Sequence, residues 1–249
     1  MTATVILPTT GAPELRTALE SVLNQTYDTT CYVVIDGDKF TPKARTILSD
    51  YLGNKKLKVC ELPLNVGANG FYGHRVYAAF THLINTDYVL YLDQDNWFDK
   101  NHVESCVNTI QKTNSDWCYS LRKIYKENEL ICTDDCESLG KWECFQGYPH
   151  IDTSSYCLKT KVAVLLAQVW HGGWGQDRVF YSALKQYLPK YECTRDYTLN
   201  YRVGGNEGSV KPEFFLAGNK IMNDKYNGEF PWRKKISSSE PSLVTLTIN

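Results

Sequence analysis

Short apolar segments alternate with amphipathic segments through the first hundred residues of this 249-residue chain. The apolar segments have the length and composition of buried strands, and the amphipathic ones repeat their apolar residues at helical spacing. The predicted strands are Thr2–Leu7, Cys31–Ile35, Leu57–Leu62 and Tyr88–Leu92, and the predicted helices are Pro13–Asn24, Pro42–Leu52 and Phe71–Ile84. Because strands that alternate with helices pair in parallel, the sequence predicts a doubly wound α/β sheet.

The second half of the chain is less regular. The pattern there predicts helices over Asn101–Gln111, Val162–Val169 and Arg178–Leu188, a hairpin of Trp117–Tyr125 with Leu130–Cys132, a loop over Asp134–Gly147, and strands over Ser154–Leu158 and Leu199–Val203. Beyond Gly204 we expect loops that cover a site, including a glycine-rich loop over 201–209. We predict one domain over 1–236, with a first half over 1–100 and a second half over 101–236, and a tail over 237–249.

Charge and hydropathy exclude several classes of partner. The formal net charge is −1, so no overall basic field indicates nucleic acid binding. No apolar stretch approaches the roughly 20 residues of a transmembrane helix. The first eight residues lead into a strand without a basic leader, which argues against a secretory signal. The nine cysteines lack the paired spacing of zinc sites, so we predict reduced thiols in an intracellular, cytoplasmic protein.

Two carboxylates follow the most apolar of the predicted strands. Tyr88–Leu92 is apolar on both faces and ends at Asp93, and Asp95 comes two residues later. Carboxylates at the carboxyl end of a buried strand lie where open α/β sheets bind ligands. Mg²⁺ and Mn²⁺ prefer such oxygen ligands and complete their shell with substrate phosphates. The motif therefore predicts a metal–diphosphate site, the alternative being a polar turn that caps the next helix.

Polar residues also follow each of the earlier strands. They are Thr9 and Thr10 after the first strand, Asp36 and Asp38 after the second, and Asn65 after the third. The chain has neither a Gly-x-Gly-x-x-Gly after the first strand nor a Walker loop. The strand-end loops of a parallel sheet meet in one crevice, so the pattern indicates a nucleotide pocket built without a glycine fingerprint.

In this order the segments resemble family 2 glycosyltransferases of the GT-A fold, from Thr4 to about Leu188. The motifs are Val5–Thr10 followed by Leu19–Tyr27, then Val33–Asp38, then Asn65 and Gly67 with Arg75, and then the Asp-X-Asp motif in Leu92–Asp95. The spacing to Arg75 is longer than in the family, and Gly73-His74 replaces its usual small pair. Asp95-Asn96-Trp97 and His150–Thr153 also resemble sugar transferases of large algal viruses, which favours a rhamnose or glucose donor.

The resemblance implies a single Rossmann-like domain with a mostly parallel central sheet, and a nucleotide-diphosphate sugar donor, with UDP-sugar favoured. It also makes residues 1–100 the nucleotide-sugar-binding (donor) half of the domain and residues 101–236 the acceptor half. The nucleotide-sugar-binding residues would be Pro8, Thr9, Thr10, Asp36, Asn65, Arg75, Asp93 and Gln94. Asp36 would accept the N3–H of uracil, and Asp95, with Asp93, would bind Mn²⁺ or Mg²⁺. Asp36 alone could equally be a turn residue beside Gly37, and Arg75 a solvated helix position.

Transfer of a sugar to a hydroxyl also needs a base. The family places this base in a Glu-Asp pair at a helix start, and Gln176-Asp177 matches that pair after Trp174-Gly175. Asp177 is therefore the predicted catalytic base of a single displacement that inverts the anomeric configuration. Its alternative role is that of an acid favoured at a helix N-terminus. The processive members' Gln-x-x-Arg-Trp motif is absent, so we predict transfer of one sugar at a time.

Four further residues are candidates for contacts with a glycan acceptor. They are Trp174, His150, Asp152 and His171. An aromatic face stacks on sugar rings, but tryptophan also fills cores. The histidines and Asp152 could equally be packed, capping or exposed residues. Two other classes stay open: a noncatalytic sugar-nucleotide or glycan-binding domain, and a nucleotidyltransferase, which the absence of Lys and Arg from Pro8–Ala12 disfavours.

Overall fold

The computed structural model describes residues 1–204 and 210–234 of the chain. Its strands are Ala3–Thr9 (β1), Thr29–Asp36 (β2), Leu57–Leu62 (β3), Tyr88–Tyr91 (β4), Trp97–Phe98 (β5), Trp117–Lys126 (β6), Glu129–Thr133 (β7), Tyr156–Lys159 (β8) and Tyr191–Val203 (β9). Its helices are Leu15–Leu23 (α1), Thr41–Leu48 (α2), His74–Thr81 (α3), His102–Thr113 (α4), Thr160–Leu166 (α5), Gln176–Tyr187 (α6) and Pro212–Lys225 (α7).

Within these ranges the strands form one sheet in the order β3-β2-β1-β4-β8-β6-β9-β5, with β7 paired to β6. Strands β1 to β4 pair in parallel, as β6 and β9 also do. Antiparallel pairs join β4 to β8, β8 to β6, β6 to β7 and β5 to β9. The predicted mostly parallel sheet flanked by helices is confirmed, and its carboxyl-end edge is where α/β folds place ligands.

The central strands are apolar on both faces because helices cover both sides of the sheet. On one side Val5 and Leu7 of β1 pack into a core shared with α1, α2 and α4. On the other side Ile6 packs into a core shared with α3, α5, α6 and α7. The same alternation continues in β4, where Leu90 faces the first core and Tyr91 the second. Burial on both sides fixes the register of the strands that carry the polar loops.

The structure corrects three parts of the sequence interpretation. The residues after 211 were predicted as loops, but Pro212–Lys225 is helix α7, which buries Phe215 and Met222. The last strand begins at Tyr191 rather than at Leu199, and Trp97–Phe98 adds a short strand that pairs with it. The third helix begins at His74 rather than at Phe71. The predicted hairpin of β6 and β7 is confirmed, whereas the predicted tail over 237–249 and most of the loop over 201–209 lie outside the described residues.

All nine cysteines are free thiols, and seven of them are buried. Among the described residues, no helix has both the length and the apolar content needed to cross a lipid bilayer.

Candidate active site

A cleft of about 630 Å³ opens at the carboxyl ends of β1, β2 and β4. On its sheet side it is lined by the predicted residues Pro8, Thr9, Thr10, Asp36, Asn65, Asp93, Gln94 and Asp95. It is also lined by His150, Asp152, Trp174 and Asp177, which come from the second half of the chain. Side chains that are far apart in sequence, from the predicted donor half and from the predicted acceptor half, therefore share one cavity.

Asp36 is buried at the end of β2, where a loop wraps its carboxylate. The backbone N–H groups of Val66 and Gly67 donate to its two oxygens at 2.7 and 2.8 Å. The Asn65 side-chain amide donates to Oδ2 at 2.8 Å and to the Asp36 carbonyl at 2.9 Å. An ionised carboxylate accepts about four hydrogen bonds, so these three contacts orient Asp36 and leave capacity for one ligand donor.

Gly67 is needed for this loop because no side chain fits at its position. A Cβ atom there would lie 2.0 Å from the Tyr72 carbonyl oxygen and 2.7 Å from Asp36 Oδ2. We expect Gly67→Ala to lower the free energy of unfolding by at least about 3 kcal/mol, measured by urea denaturation, because the backbone must move. Gly53→Ala is the control, since Gly53 has open space and a φ of +88°. It is expected to lose only about 1 kcal/mol from backbone strain, and an equal loss at both positions would contradict the prediction.

The middle residue of the Asp-X-Asp motif ties two loops together. Gln94 Oε1 accepts the Thr9 hydroxyl at 2.7 Å and the backbone N–H groups of Thr10 and Ala12 at 3.1 and 3.4 Å. Its Nε2 donates to the Thr10 hydroxyl at 3.1 Å. The Gln94 amide thus fixes the turn after β1, and its contribution to the cleft is to hold that turn in place.

Asp93 is the deeper of the two motif carboxylates. It accepts the Tyr77 hydroxyl at 2.8 Å, and its backbone N–H donates to the Ser154 hydroxyl at 3.1 Å. Burial raises the pKa of Asp93 to about 8, and the neighbouring charges of Asp95 and Asp152 add to the increase. Ionisation of Asp93 is therefore costly at this crowded end of the cleft unless a cation compensates its charge.

Asp95 lies nearer the cleft opening and is held through its backbone. Arg202 Nε donates to the Asp95 carbonyl at 3.2 Å, and the Arg202 backbone N–H donates to Asn96 Oδ1 at 3.0 Å. Burial is the largest cause that raises the pKa of Asp95, and the charge of Asp152 raises it further. This contact joins the motif to β9, so the second half of the chain positions the residue predicted to bind the cation.

The donor set fits a divalent cation that takes only one or two protein ligands. Asp93 and Asp95 offer hard carboxylate oxygens whose mutual repulsion a cation would relieve. Within the described ranges, no group of three acidic, histidine or cysteine side chains forms a ready-made cage. Such a cation would take its remaining ligands from water and from substrate phosphates, which is the usual coordination of Mg²⁺.

A buried guanidinium organises the floor of the cleft. Arg122, only 2% exposed, donates to Asp134 and Asp152 at 2.7 Å each and to Glu137. Its planar group also lies 4.3 Å from the centre of the Tyr201 ring. Burial raises the pKa of Asp134, but Arg122 and backbone N–H groups lower it more, so the net pKa is below the ordinary value. Three carboxylates around one guanidinium leave a net negative charge beneath the cleft.

Asp177 lies in the first turn of α6, after Gly175 in a left-handed conformation. Its Oδ1 accepts the backbone N–H of Arg178 at 2.9 Å, and its side chain is 24% exposed. His150 Nε2 is 3.9 Å from Asp177 Oδ2 and 4.0 Å from a Glu137 oxygen. Asp177 therefore lines the cleft with one oxygen, Oδ2, that accepts no hydrogen bond from the described residues, as a general base needs.

Trp174 stands at the cleft entrance with 77% of its surface exposed. The Arg178 guanidinium lies 5.5 Å from the centre of its ring. An exposed indole contributes little to the core, so the structure leaves this ring available for stacking.

Two of the predicted site residues do not line the cleft. Arg75 packs its guanidinium 3.3 Å from the centre of the Phe71 ring and donates to the Val66 carbonyl at 3.4 Å. His171 is exposed, and its ring lies 6.1 Å from that of Phe71. Both residues flank the loop between β3 and α3, where they contact Phe71 rather than the cavity.

Sequence reasoning missed several residues that line the cleft. They include Tyr72, His74, Arg122, Glu137, Arg178 and Tyr201. His74 was visible as a departure from the family motif, and its Nδ1 lies 3.1 Å from the Gly172 carbonyl. Burial lowers the pKa of His74. The sequence signal for Arg122 was its position inside the predicted strand Trp117–Tyr125, because an arginine that a strand buries requires charged or polar partners.

The model of the family described as "Glycosyl transferase family 2" matches residues 4–143, which is more than half of the chain. The chain belongs to glycosyl transferase family 2. The match ends within the loop that carries Glu137, so it covers the Asp-X-Asp motif but stops before Asp177. The cleft of this family 2 member is the candidate active site.

Solved structures share the fold of this glycosyltransferase over nearly its whole length. S. aureus TarS 1-349 in complex with UDP-GlcNAc matches at 16% identity and a TM-score of 0.64, covering 90% of this chain and 66% of that one. The complex of TarS 1-349 with UDP matches at 17% identity and a TM-score of 0.60, and the match covers 90% of this chain and 65% of that one. The longer S. aureus TarS structure matches at 18% identity and a TM-score of 0.59, and the match covers 90% of this chain and 39% of that one. No protein of curated function matches the glycosyltransferase in sequence.

The chain thus spans just under two thirds of the TarS 1-349 structures that it resembles. The GT-A architecture predicted for the glycosyltransferase is confirmed by this likeness.

Proposed function

We propose that this glycosyltransferase moves one sugar from a UDP-sugar to a hydroxyl of a glycan or glycoconjugate, with a divalent cation and with inversion at the anomeric carbon. The observation that supports this most is that Asp95 and Asp177 line the same cleft. A site for a diphosphate-bound cation and a solvent-accessible carboxylate then share one cavity, in which a sugar could be held between them. That pairing is what an in-line displacement requires.

The donor proposal rests on the sheet side of the cleft. Asp36 keeps one acceptor position for a ligand, which suits the N3–H of uracil. Pro8 and Thr10 stand beside it as walls for a nucleoside. S. aureus TarS, which shares the fold, has been crystallised with UDP and with UDP-GlcNAc. Uracil is therefore the proposed base, while the transferred sugar is left to experiment.

The chemistry divides between the two ends of the cleft. Asp177 Oδ2 would accept the proton of the acceptor hydroxyl as that oxygen forms its bond to the anomeric carbon. Asp95, with Asp93 behind it, would hold Mn²⁺ or Mg²⁺, and a bound cation would stabilise the charge on the departing diphosphate. Tyr77 and Ser154 hold Asp93 in place for this role. One displacement step with no protein nucleophile inverts the configuration.

Asp95→Ala is expected to remove the metal dependence of donor binding. Calorimetry with UDP should show that Mn²⁺ strengthens binding to the unchanged protein at least about tenfold, equivalent to ~1.4 kcal/mol, and that the variant binds UDP equally with and without Mn²⁺. Asp38→Ala is the control, because Asp38 is exposed just beyond β2 and does not line the cleft. A Mn²⁺ effect that persists in Asp95→Ala would remove this residue from the metal site.

A panel of nucleotide sugars tests the proposed function as a whole. Thermal unfolding is followed with UDP-, GDP-, ADP-, dTDP- and CMP-sugars, each with and without Mn²⁺, and the binders are then assayed for hydrolysis and transfer. A UDP-sugar should raise the melting temperature by several degrees with Mn²⁺ and should be turned over. Binding without any turnover would indicate a noncatalytic domain, and binding of no UDP-sugar would overturn the donor proposal.

A further inference from the structure

A second cavity of about 490 Å³ lies against α6 and is lined by Pro149, Tyr181, Ser182, Lys185 and Gln186. Arg178, which lines the active-site cleft, shares one face of α6 with Ser182 and Lys185, because these residues are four and seven positions apart along the helix. We call this face of the helix, from Arg178 to Lys185, together with the second cavity, the α6 groove.

Two exposed aromatic rings lie beside the Arg178 guanidinium, at the start of the α6 groove. The Arg178 guanidinium lies 5.5 Å from the centre of the Trp174 ring and 5.8 Å from that of Tyr148. Trp174 and Tyr148 are 77% and 65% exposed, respectively. One turn later the Ser182 hydroxyl donates to the Arg178 carbonyl at 2.9 Å. Exposed rings on either side of a cation provide stacking surface for sugar rings together with a hydrogen-bond donor.

The two cations of the α6 groove have no acidic partner. Some of the described cations, such as Arg122, Lys123 and Lys141, lie in ion pairs. Among the described residues, neither Arg178 nor Lys185 has a carboxylate within ion-pair distance; they contact aromatic rings instead. In a protein with a net charge of −1, two adjacent uncompensated cations form a local positive strip.

The spacing of these cations sets the length of a ligand that reaches both. Arg178 and Lys185 are seven positions apart on α6, and at 1.5 Å per residue this corresponds to roughly 10 Å along the helix. A monosaccharide is too short to span that distance. A ligand that fills the groove therefore has at least two sugar units and carries negative charge.

We propose that the α6 groove binds an anionic glycan acceptor, whose terminal sugar reaches Asp177 while phosphate or carboxylate groups farther along pair with Arg178 and Lys185. This inference rests on the proposed function, since it names the acceptor class of the same site. A single-stranded nucleic acid shares the negative charge, but two cations provide only a short basic contact, whereas such binders track the backbone with an extended groove. The glycan is therefore the occupant that the structure favours.

The test measures binding of matched tetrasaccharides to the full chain. The probes are maltotetraose, tetragalacturonate and 6-phosphorylated maltotetraose, which are respectively neutral, carboxylated and phosphorylated, with the oligonucleotide dT8 as a competitor. Tryptophan fluorescence reports binding at 50 and 300 mM NaCl. We expect the charged probes to bind at least tenfold more tightly than maltotetraose at low salt, and we expect this preference to shrink at high salt. The difference between the two charged probes identifies which anion is favoured.

Lys185→Gln is compared with Lys112→Gln. Each lysine is exposed in the last turn of a 12-residue helix, so both changes remove the same charge and the same helix-end contact. Lys112 lies on α4, which packs on the opposite face of the sheet. Lys185→Gln should weaken binding of the charged probes about threefold to tenfold and leave maltotetraose unaffected, whereas Lys112→Gln should change neither.

Three results would overturn the inference. They are equal binding of neutral and charged probes, equal loss in both lysine variants, and tighter binding of dT8 than of any charged glycan. UDP-sugar hydrolysis without acceptor is measured in parallel on the unchanged protein. If hydrolysis is present while the probes show no charge preference, the acceptor inference alone fails. If no UDP-sugar is bound or hydrolysed, the proposed function fails, whatever the glycans do.

Discussion

Replacing Asp177 with asparagine is expected to slow sugar transfer by about 100- to 10,000-fold, which is the usual contribution of a general base. The change is nearly isosteric. Oδ1 can still accept the Arg178 backbone N–H, as it does at 2.9 Å in the structure, so the first turn of α6 should be retained. What is lost is the free Oδ2, because an amide nitrogen cannot take the proton of the acceptor hydroxyl.

Donor affinity separates this effect from a general disturbance. UDP binding measured by calorimetry should be unchanged in Asp177→Asn, since Asp177 is not among the partners that hold Asp36, which are Asn65, Val66 and Gly67. Asp224→Asn is the matched control, because Asp224 is an exposed residue of α7. This variant should transfer sugar at the normal rate. Normal transfer by Asp177→Asn, or a parallel loss of donor binding, would rule out the proposed role.

Arg122→Met is expected to lower the free energy of unfolding by about 3–5 kcal/mol at pH 7, measured by urea denaturation. The methionine preserves much of the side-chain volume but leaves three carboxylates without their counter-ion. Asp134 is fully buried, and the side chains of Asp152 and Glu137 are only 9% and 16% exposed. Water cannot replace the guanidinium at such sites, so the charges are left unpaired.

The effect of pH on this variant has a definite sign. With Arg122 present, the pKa of Asp134 is below its ordinary value, so its contribution to stability is present above the unfolded pKa and is lost as pH falls through the folded one. Without Arg122, burial would raise this pKa and the folded state would bind the extra proton. The deficit of Arg122→Met should therefore shrink between pH 7 and pH 4.

Arg45→Met is the control for the loss of an arginine ion pair. Arg45 pairs with Glu61 at 2.7 Å on the surface, where the two side chains are 67% and 34% exposed. Solvent screens such a pair, so no resolvable loss of stability is expected. If Arg122→Met were as stable as Arg45→Met, the buried network would not support the cleft floor.

The local pattern of apolar residues was sufficient to predict the strands and helices in the first half of the fold. The strands β1, β2 and β4 are short, mostly apolar runs that are largely buried, and this makes them conspicuous in the sequence. Helix α7 was missed because its buried face consists of only Phe215, Gly218 and Met222, a weak apolar stripe among polar residues. The first half of β9 was missed because its burial does not alternate regularly.

The residues of the candidate site also divide into those that could be predicted from the sequence and those that could not. Residues that follow strands, such as Asp36 and Asp95, could be predicted because the topology of a parallel sheet brings strand ends together. The partners of Arg122 could not, because Asp134 and Asp152 come from loops whose positions depend on tertiary packing. Arg75 matched a family motif at an altered spacing, and the structure turns it toward Phe71.

The hydrogen bonds of the Gln94 side chain have a consequence for the rate of nucleotide binding. Because one amide joins the turn after β1 to the segment after β4, that wall of the cavity is preorganised before any nucleotide arrives. Its conformational entropy is lost when the chain folds, and association then needs no loop closure on this side. The amide protons of Thr10 and Ala12 should accordingly exchange slowly with deuterium even in the ligand-free enzyme.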